Sequence, residues 1–248
     1  MTMEYQLYEN TYRSEQSHWW FVGRRTLVLD QIDQIYGSRD DLQILDVGCG
    51  TGLNMHYLAR YGEVTGADLS PAGLSFARER GHERLVMAPI EQLPFDDDSF
   101  DLVTTLDVME HLDDDLAGFR EIQRVLRPGG RALVLVPAYK FLWSLQDEVS
   151  HHRRRYVARQ LRGVIEQSGL QVQRLTYANT FLFPIIFGGR MALKLIRRYR
   201  PEIQNENALH PGWSNGLLRT VFQAEAPLLR KVDFPFGVSI LAIATKPS

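Results

Sequence analysis

The segment Ile44-Leu45-Asp46-Val47-Gly48-Cys49-Gly50-Thr51-Gly52 joins a short apolar run and a carboxylate to three glycines at alternate positions. Such a run reads as a buried strand whose exit turn lets the backbone approach a ligand with no side chain in the way. A helix is expected just after the turn, so loop N–H groups and a helix N-terminus would face an anionic or zwitterionic group. Asp68 ends a second apolar run 20 positions beyond Gly48, and in a βαβ unit this sets a carboxylate beside ribose hydroxyls. The residues describe a nucleotide-type cofactor pocket. They lack the Gly-Lys-Ser/Thr ending of a P-loop, and Gly48-x-Gly50-x-Gly52 departs from the Gly-x-Gly-x-x-Gly of dinucleotide sites.

The patterning supplies a scaffold for that pocket. Residues 4–36 read as helical, with Leu27, Leu29, Ile32 and Ile35 near helical spacing. Strands and helices then alternate: strand 42–47, helix 52–61, strand 63–68, helix 71–80, strands 84–88 and 101–106, helix 113–126 and strand 131–136. Alternation of this kind implies parallel strands with right-handed crossovers, and ligands at the strands' carboxyl ends near the switch point, where Gly48, Asp68 and Asp107 converge. Residues 139–148 and 157–168 look helical, 169–175 alternates as a sixth strand, and 238–244 is a last apolar strand. Roughly sixty residues separate those two strands, far more than an ordinary connection, so they predict a helical cover. One domain results: an N-terminal helical cap (1–40), a cofactor-binding core (41–176), the cover (177–233) and the last strand (234–248).

The chain has 248 residues, 28 basic and 30 acidic, for a formal charge of −2. No overall field draws it to nucleic acid. The single cysteine, Cys49, has no disulfide partner and no second thiol for a metal site, so no metal is expected and a reducing cytoplasm fits. No signal peptide is read at residues 1–5. The uncharged run Leu175–Gly189 contains Asn179 and Pro184 and is too short for a bilayer span.

At the glycine turn the chain resembles the class I S-adenosylmethionine-dependent methyltransferases, whose first motif is acid-x-Gly-x-Gly-x-Gly. Further segments follow in that family's order: Glu91-Gln92-Leu93-Pro94-Phe95 with Ser99-Phe100-Asp101-Leu102-Val103, then Leu106-Asp107-Val108-Met109-Glu110-His111-Leu112, then Arg127-Pro128-Gly129-Gly130. They cover residues 42–137 and are similar to the quinone-biosynthesis group. The resemblance implies an α/β Rossmann-like fold with a seven-stranded, mostly parallel sheet whose last strand is antiparallel. It implies that Asp46, Gly48, Cys49, Gly50 and Gly52 line the methionine part of S-adenosylmethionine, that Asp68 takes the ribose hydroxyls, and that Leu69 lies beside the adenine. Many members have Gly-Asp-Ala-Glu after strand three; here Ala88-Pro89-Ile90-Glu91 replaces the acid with Pro89 and leaves the Ile90 N–H to reach the ring. Leu106 and Asp107 would face the sulfonium side.

Trp19, Trp20, Arg24 and Arg25 cluster with His18. They form either an aromatic staple for the cap or a set in which Arg24 holds the cofactor carboxylate while Trp19 or Trp20 closes over the sulfonium. A sulfonium methyl needs a nucleophile held in line in a dry pocket, with a general base where the acceptor must lose a proton. His111, His152 and Tyr156 are the candidates, and His152-x-Arg154-Arg155-Tyr156 is expected to bind a polar or anionic part of the acceptor. The Asn/Asp-Pro-Pro-Tyr/Phe motif of nucleic-acid base methylation is absent from Leu106–Met109. Phe181–Phe187, Met191, Leu193, Leu195 and Ile196, edged by Lys194, Arg197, Arg198 and Arg200, point to a small amphiphilic acceptor or a membrane interface, with core packing or a dimer contact as the other readings. The competing functions are a noncatalytic S-adenosylmethionine-binding protein and a dinucleotide-dependent oxidoreductase. Oligomeric state is not legible.

Overall fold

The computed structural model describes residues 3–197 and 214–248. Seven strands, β1 (Leu42–Val47), β2 (Gly62–Asp68), β3 (Leu85–Met87), β4 (Phe100–Leu106), β5 (Leu126–Pro137), β6 (Gln171–Ala178) and β7 (Ser239–Thr245), form one sheet in the order β3-β2-β1-β4-β5-β7-β6. Strands from β3 to β5 pair in parallel, while β7 runs antiparallel between β5 and β6. The expected Rossmann-like sheet with its antiparallel last strand is therefore present.

Side chains alternate across the strands, so each strand feeds two cores. Val134 and Val136 of β5, with Leu45, Val103 and Ala242, bury one face under α5 (Asp115–Val125) and α7 (Ala158–Gln167) through Phe119, Ile122, Leu161 and Ile165. Leu133 and Leu135, with Ile44, Leu102 and Leu241, bury the other face under Val28 and Ile32 of α2 (Trp19–Tyr36). Each such side chain contributes on the order of 1.5–3 kcal/mol by leaving water. The sheet's register is fixed as a consequence, because a one-residue slip would exchange the two faces.

The N-terminal cap is two helices, α1 (Met3–Ser14) and α2, where one was expected. The break has a local cause. His18 is extended and its Nδ1 accepts from the Trp20 N–H, while Asn215 Oδ1 accepts from the Trp19 N–H at 2.7 Å, so side chains satisfy the donors that open α2. Residues 139–148 likewise divide into a single 3-10 turn, Lys140–Leu142, and α6 (Leu145–Val149), which Ser144 and Asp147 open as a capping box. Strand β6 runs to Ala178, past the expected end of the core at 176.

The cover comprises α8 (Phe183–Arg197), α9 (Ser214–Gln223) and α10 (Ala226–Leu229); Arg198 and Arg200 lie outside the described residues. Phe222 packs against Trp19 and Leu27, and a Cβ at Gly23 would sit 2.1 Å from the Phe222 ring. Polar staples complete the joint: Arg174 donates to Gln31 at 2.8 Å, Arg230 pairs with Asp30 at 2.5 Å, and buried Glu225 accepts from the Phe181 N–H at 2.7 Å. Among the described residues, no helix is long and apolar enough to cross a membrane.

Gly62 opens β2 at φ 147°, where a Cβ would stand 2.1 Å from the Leu42 carbonyl oxygen. Gly62→Ala is expected to cost about 2–4 kcal/mol in urea unfolding, through strain and the forced separation of β1 from β2; a loss below about 0.5 kcal/mol would contradict this packing.

Candidate active site at the carboxyl edge of the sheet

The turn after β1 takes three left-handed residues, Gly48, Gly50 and Gly52, at φ 70°, 53° and 80°. Two of them serve packing. A Cβ at Gly48 would lie 2.2 Å from Val108 Cγ2, and one at Gly52 would lie 2.7 Å from His82 Cδ2. Gly50 is bare for another reason, since only Tyr8 approaches its Cβ position, at 3.9 Å. The Gly48 and Cys49 N–H groups both donate to Ala67 at the end of β2. Asp68 then clamps the loop: Oδ2 accepts from the Gly50 N–H and Oδ1 from the Ser70 N–H, each at 2.8 Å. Ser70 itself caps α4 (Pro71–Glu79), so Asp68 is not the helix cap.

Below the loop, Asp46 is 1% exposed. Its Oδ1 accepts from Thr104 Oγ1 at 2.6 Å, whereas Oδ2 has no hydrogen-bond partner. Burial pushes its carboxyl up to about 6. Cys49 is buried and burial pushes its thiol far up, so it stays a neutral packing group against Gly66. Leu69 is exposed beside Asp68, and Ile90 is core, packed near Gly118.

Helix α1 lies over this turn. Tyr8 approaches Gly50 and Gly73, while Tyr5 and Tyr12 pack at a tilt against Phe76. Buried Glu15 accepts from Thr51 Oγ1 and pairs with Arg80 at 2.6 Å; Arg80 also donates to the Thr51 and Tyr12 carbonyls and stacks on the Tyr12 ring. Glu15, Arg80 and Tyr8 were not singled out for any role from sequence. Their partners are 29 to 68 positions away, with no spacing that would announce them.

At the end of β4, Asp107 is left-handed, φ 60°, and its Oδ2 accepts from Arg24 Nη1 at 2.5 Å. Arg24 is thus tied to a carboxylate of this chain, with its buried Nε unpartnered. Trp19 and Trp20 pack on Phe222 and so join the cap to α9. Leu106 lies in the core under α2.

The groups expected to bind or activate an acceptor fall into two sets. Tyr156 is 2% exposed and its hydroxyl bridges Asp115 Oδ2 and the Met109 carbonyl, so it is a strut inside the scaffold. The arginine cluster is internally neutralised: Arg153 pairs with Asp113, Arg154 with Asp115, and Arg155 with Asp147. Arg153 and Arg154 fasten the segment after β4, and Arg155 fastens α6. His111 and His152, by contrast, meet edge-on with ring centroids 4.7 Å apart. Burial and the neighbouring His152 push His111 down to about 4, leaving a neutral imidazole at pH 7. His152 Nδ1 stands 2.8 Å from Asp147 Oδ1, and that carboxylate also accepts from Arg155 and Ser144. Beside the pair, burial and the charge of Asp107 hold the Glu110 carboxyl well above the ordinary range.

Residues 45–134, which carry the turn, Asp68 and Asp107, match the methyltransferase domain family. Over these residues the chain is similar to methyltransferase domains. Over 114 residues it is 38% identical to a ubiquinone biosynthesis O-methyltransferase of Alkalilimnicola ehrlichii, a match covering 43% of this chain and 46% of that one. The chain thus spans about half the length of such curated relatives. A Haloferax volcanii methyltransferase structure, solved with the Trm112 activator, shares the fold over 97% of this chain and 98% of its own, with a TM-score of 0.64 and 18% identity. Haemonchus contortus phosphoethanolamine N-methyltransferase 2, solved with S-adenosylmethionine, superposes over 89% of this chain and 52% of its own, with a TM-score of 0.57 and 20% identity. The residues present fit that cofactor: the turn is bare at Gly50, Asp68 ends β2 beside it, and buried Asp46 has an oxygen without a donor.

Asp147 anchors the segment that carries His152 and Arg155. Burial alone would raise its carboxyl, but hydrogen bonds from His152, Arg155 and Ser144 overcome this and hold it far below the usual range. A depressed folded value means its stabilisation is present above the ordinary carboxylate pKa of about 4 and is lost as pH falls through the folded value. Asp147→Asn is expected to cost about 3–5 kcal/mol at pH 7, because Arg155 is left buried without its charge partner, and the deficit should shrink in urea unfolding at progressively acid pH. A deficit independent of pH would refute the assignment.

Proposed function

We propose that this protein transfers a methyl group from S-adenosylmethionine to a small amphiphilic acceptor. The observation that carries the reading is the bare left-handed turn at Gly50, clamped by Asp68 at the switch point between β1 and β4. The sulfonium supplies a methyl group activated toward an in-line nucleophile. Asp68, already oriented by two backbone N–H groups, presents carboxylate lone pairs to the ribose hydroxyls. Asp46 and the loop backbone receive the amino-acid end, and the Arg24–Asp107 pair closes the sulfonium side with a fixed dipole that needs no reorganisation. His111 and His152 stand past Asp107, on the side from which an acceptor would enter.

The acceptor side is aromatic. Tyr177, Tyr139 and Phe141 stack in sequence, with centroids 5.1 and 4.9 Å apart, and Phe183 and Phe187 continue the wall into α8. Phe141, Phe187 and Phe236 remain exposed along it, and Ile185, Leu195 and Ile196 extend an apolar outer face beside Lys194. This wall suits an acceptor with an extended apolar part, and the α8 face suits peripheral contact with an anionic membrane interface. The similarity of the core to a ubiquinone biosynthesis O-methyltransferase supports the same class.

Removing the Asp68 carboxylate deletes charge-assisted hydrogen bonds worth about 1.5–3 kcal/mol. Asp68→Ala should therefore weaken S-adenosylhomocysteine binding in calorimetry by at least about tenfold, and unchanged affinity would overturn the pocket. Labelled-methyl transfer into a lipid extract, followed by mass spectrometry, tests the acceptor class. Saturable cofactor binding with no labelled product would favour a noncatalytic binding protein instead. For the outer face, Ile185→Asp should reduce cosedimentation with anionic phospholipid vesicles; wild-type protein that stays in the supernatant would remove the membrane contact.

A further inference from the structure

Glu110 lies in the single 3-10 turn Met109–His111, fully buried, and neither carboxylate oxygen has a hydrogen-bond partner. Removal of such a group from water without a donor is costly, so its retention in a well-packed core calls for a ligand. Two imidazoles adjoin it. His152 Nε2 is 3.8 Å from Glu110 Oε1, and one donor atom each from Glu110, His111 and His152 lie within 4.8 Å of one another. The second nitrogen of His152 is already committed, since Nδ1 faces Asp147 Oδ1 at 2.8 Å while Arg155 and Ser144 hold that carboxylate still. A carboxylate oxygen accepts, so Nδ1 donates and Nε2 is left facing Glu110, the carboxylate–imidazole arrangement that orients metal ligands.

We propose that Glu110, His111 and His152 bind one divalent transition-metal ion of the zinc class, with Asp147 orienting His152. Two nitrogen donors and one oxygen favour such an ion over magnesium or calcium, which take oxygen ligands. Metal–ligand bonds of about 2.0–2.2 Å require the Glu110 carboxylate and the two rings to draw together from their present separations. Three protein ligands leave a position for water or for a ligand's oxygen, three residues along the chain from Asp107. The inference rests on this cluster and not on methyl transfer.

The test uses the intact chain, stripped with a chelator and titrated with Zn2+ in a calorimeter, with Co2+ as a spectroscopic probe. Wild-type protein should take up one equivalent, with a visible Co2+ absorption band. Glu110→Gln and His152→Ala should each weaken uptake at least about tenfold and abolish the band, while His56→Gln, outside the cluster, should leave both unchanged. Because glutamine matches a neutral glutamic acid in shape, Glu110→Gln should keep its melting temperature and so separates lost binding from lost folding. Absence of stoichiometric uptake by wild type, or equally tight uptake by Glu110→Gln and His152→Ala, would overturn the proposal. The readout is binding, so inactive enzyme with intact uptake would count against methyl transfer alone.

Discussion

The site depends on one carboxylate. Asp68 ties the Gly50 N–H of the turn after β1 to the Ser70 N–H that begins the next helix. Two separate crossovers are thereby held in one geometry, and the backbone of the turn is kept in a left-handed path that only glycine follows cheaply. Without that clamp the turn would still exist, but its open face would lack a fixed direction. The sheet supplies the rest of the constraint, since Gly48 and Cys49 both donate to Ala67 within the β1–β2 pair.

The same edge collects backbone strain. Asp107 after β4, Tyr139 after β5 and Asn179 after β6 all have positive φ, at 60°, 55° and 59°. Left-handed non-glycine residues are uncommon and persist where surrounding structure over-determines them. Each is held differently: Asp107 by Arg24, Tyr139 by stacking between Tyr177 and Phe141, and Asn179 by complete burial. Three consecutive exits bent in this way let the chain leave the sheet abruptly, and the space above the strands is lined by side chains from loops instead of by continuing strands.

Much of the cofactor side was legible because its determinants are local. A strand, a glycine turn and an acid at the end of the next strand occupy one βαβ unit, and sequence spacing reports such a unit directly. The surroundings of the basic cluster were not. Arg153, Arg154 and Arg155 read as a ligand-binding cluster, yet each finds an acid: Asp113 and Asp115 about forty positions earlier, and Asp147 eight positions earlier. Charge runs show where cations are but not which acids the fold brings to them. Tyr156 failed for the same reason, through Asp115. The division of the N-terminal cap was invisible because the groups that open α2 include Asn215, 196 positions away.

Strand β7 sits between β5 and β6, with both of its edges hydrogen-bonded, although its residues follow all the other strands in the chain. During synthesis the ribosome delivers β5 and β6 well before the strand that joins them. Until residues 239–245 emerge, those two strands present unpaired edges with apolar faces, the kind of surface chaperones recognise and aggregates recruit. Completion of this sheet therefore waits for residues 239–245, and the edges of β5 and β6 stay open at least for the time taken to translate residues 179–238 between β6 and β7.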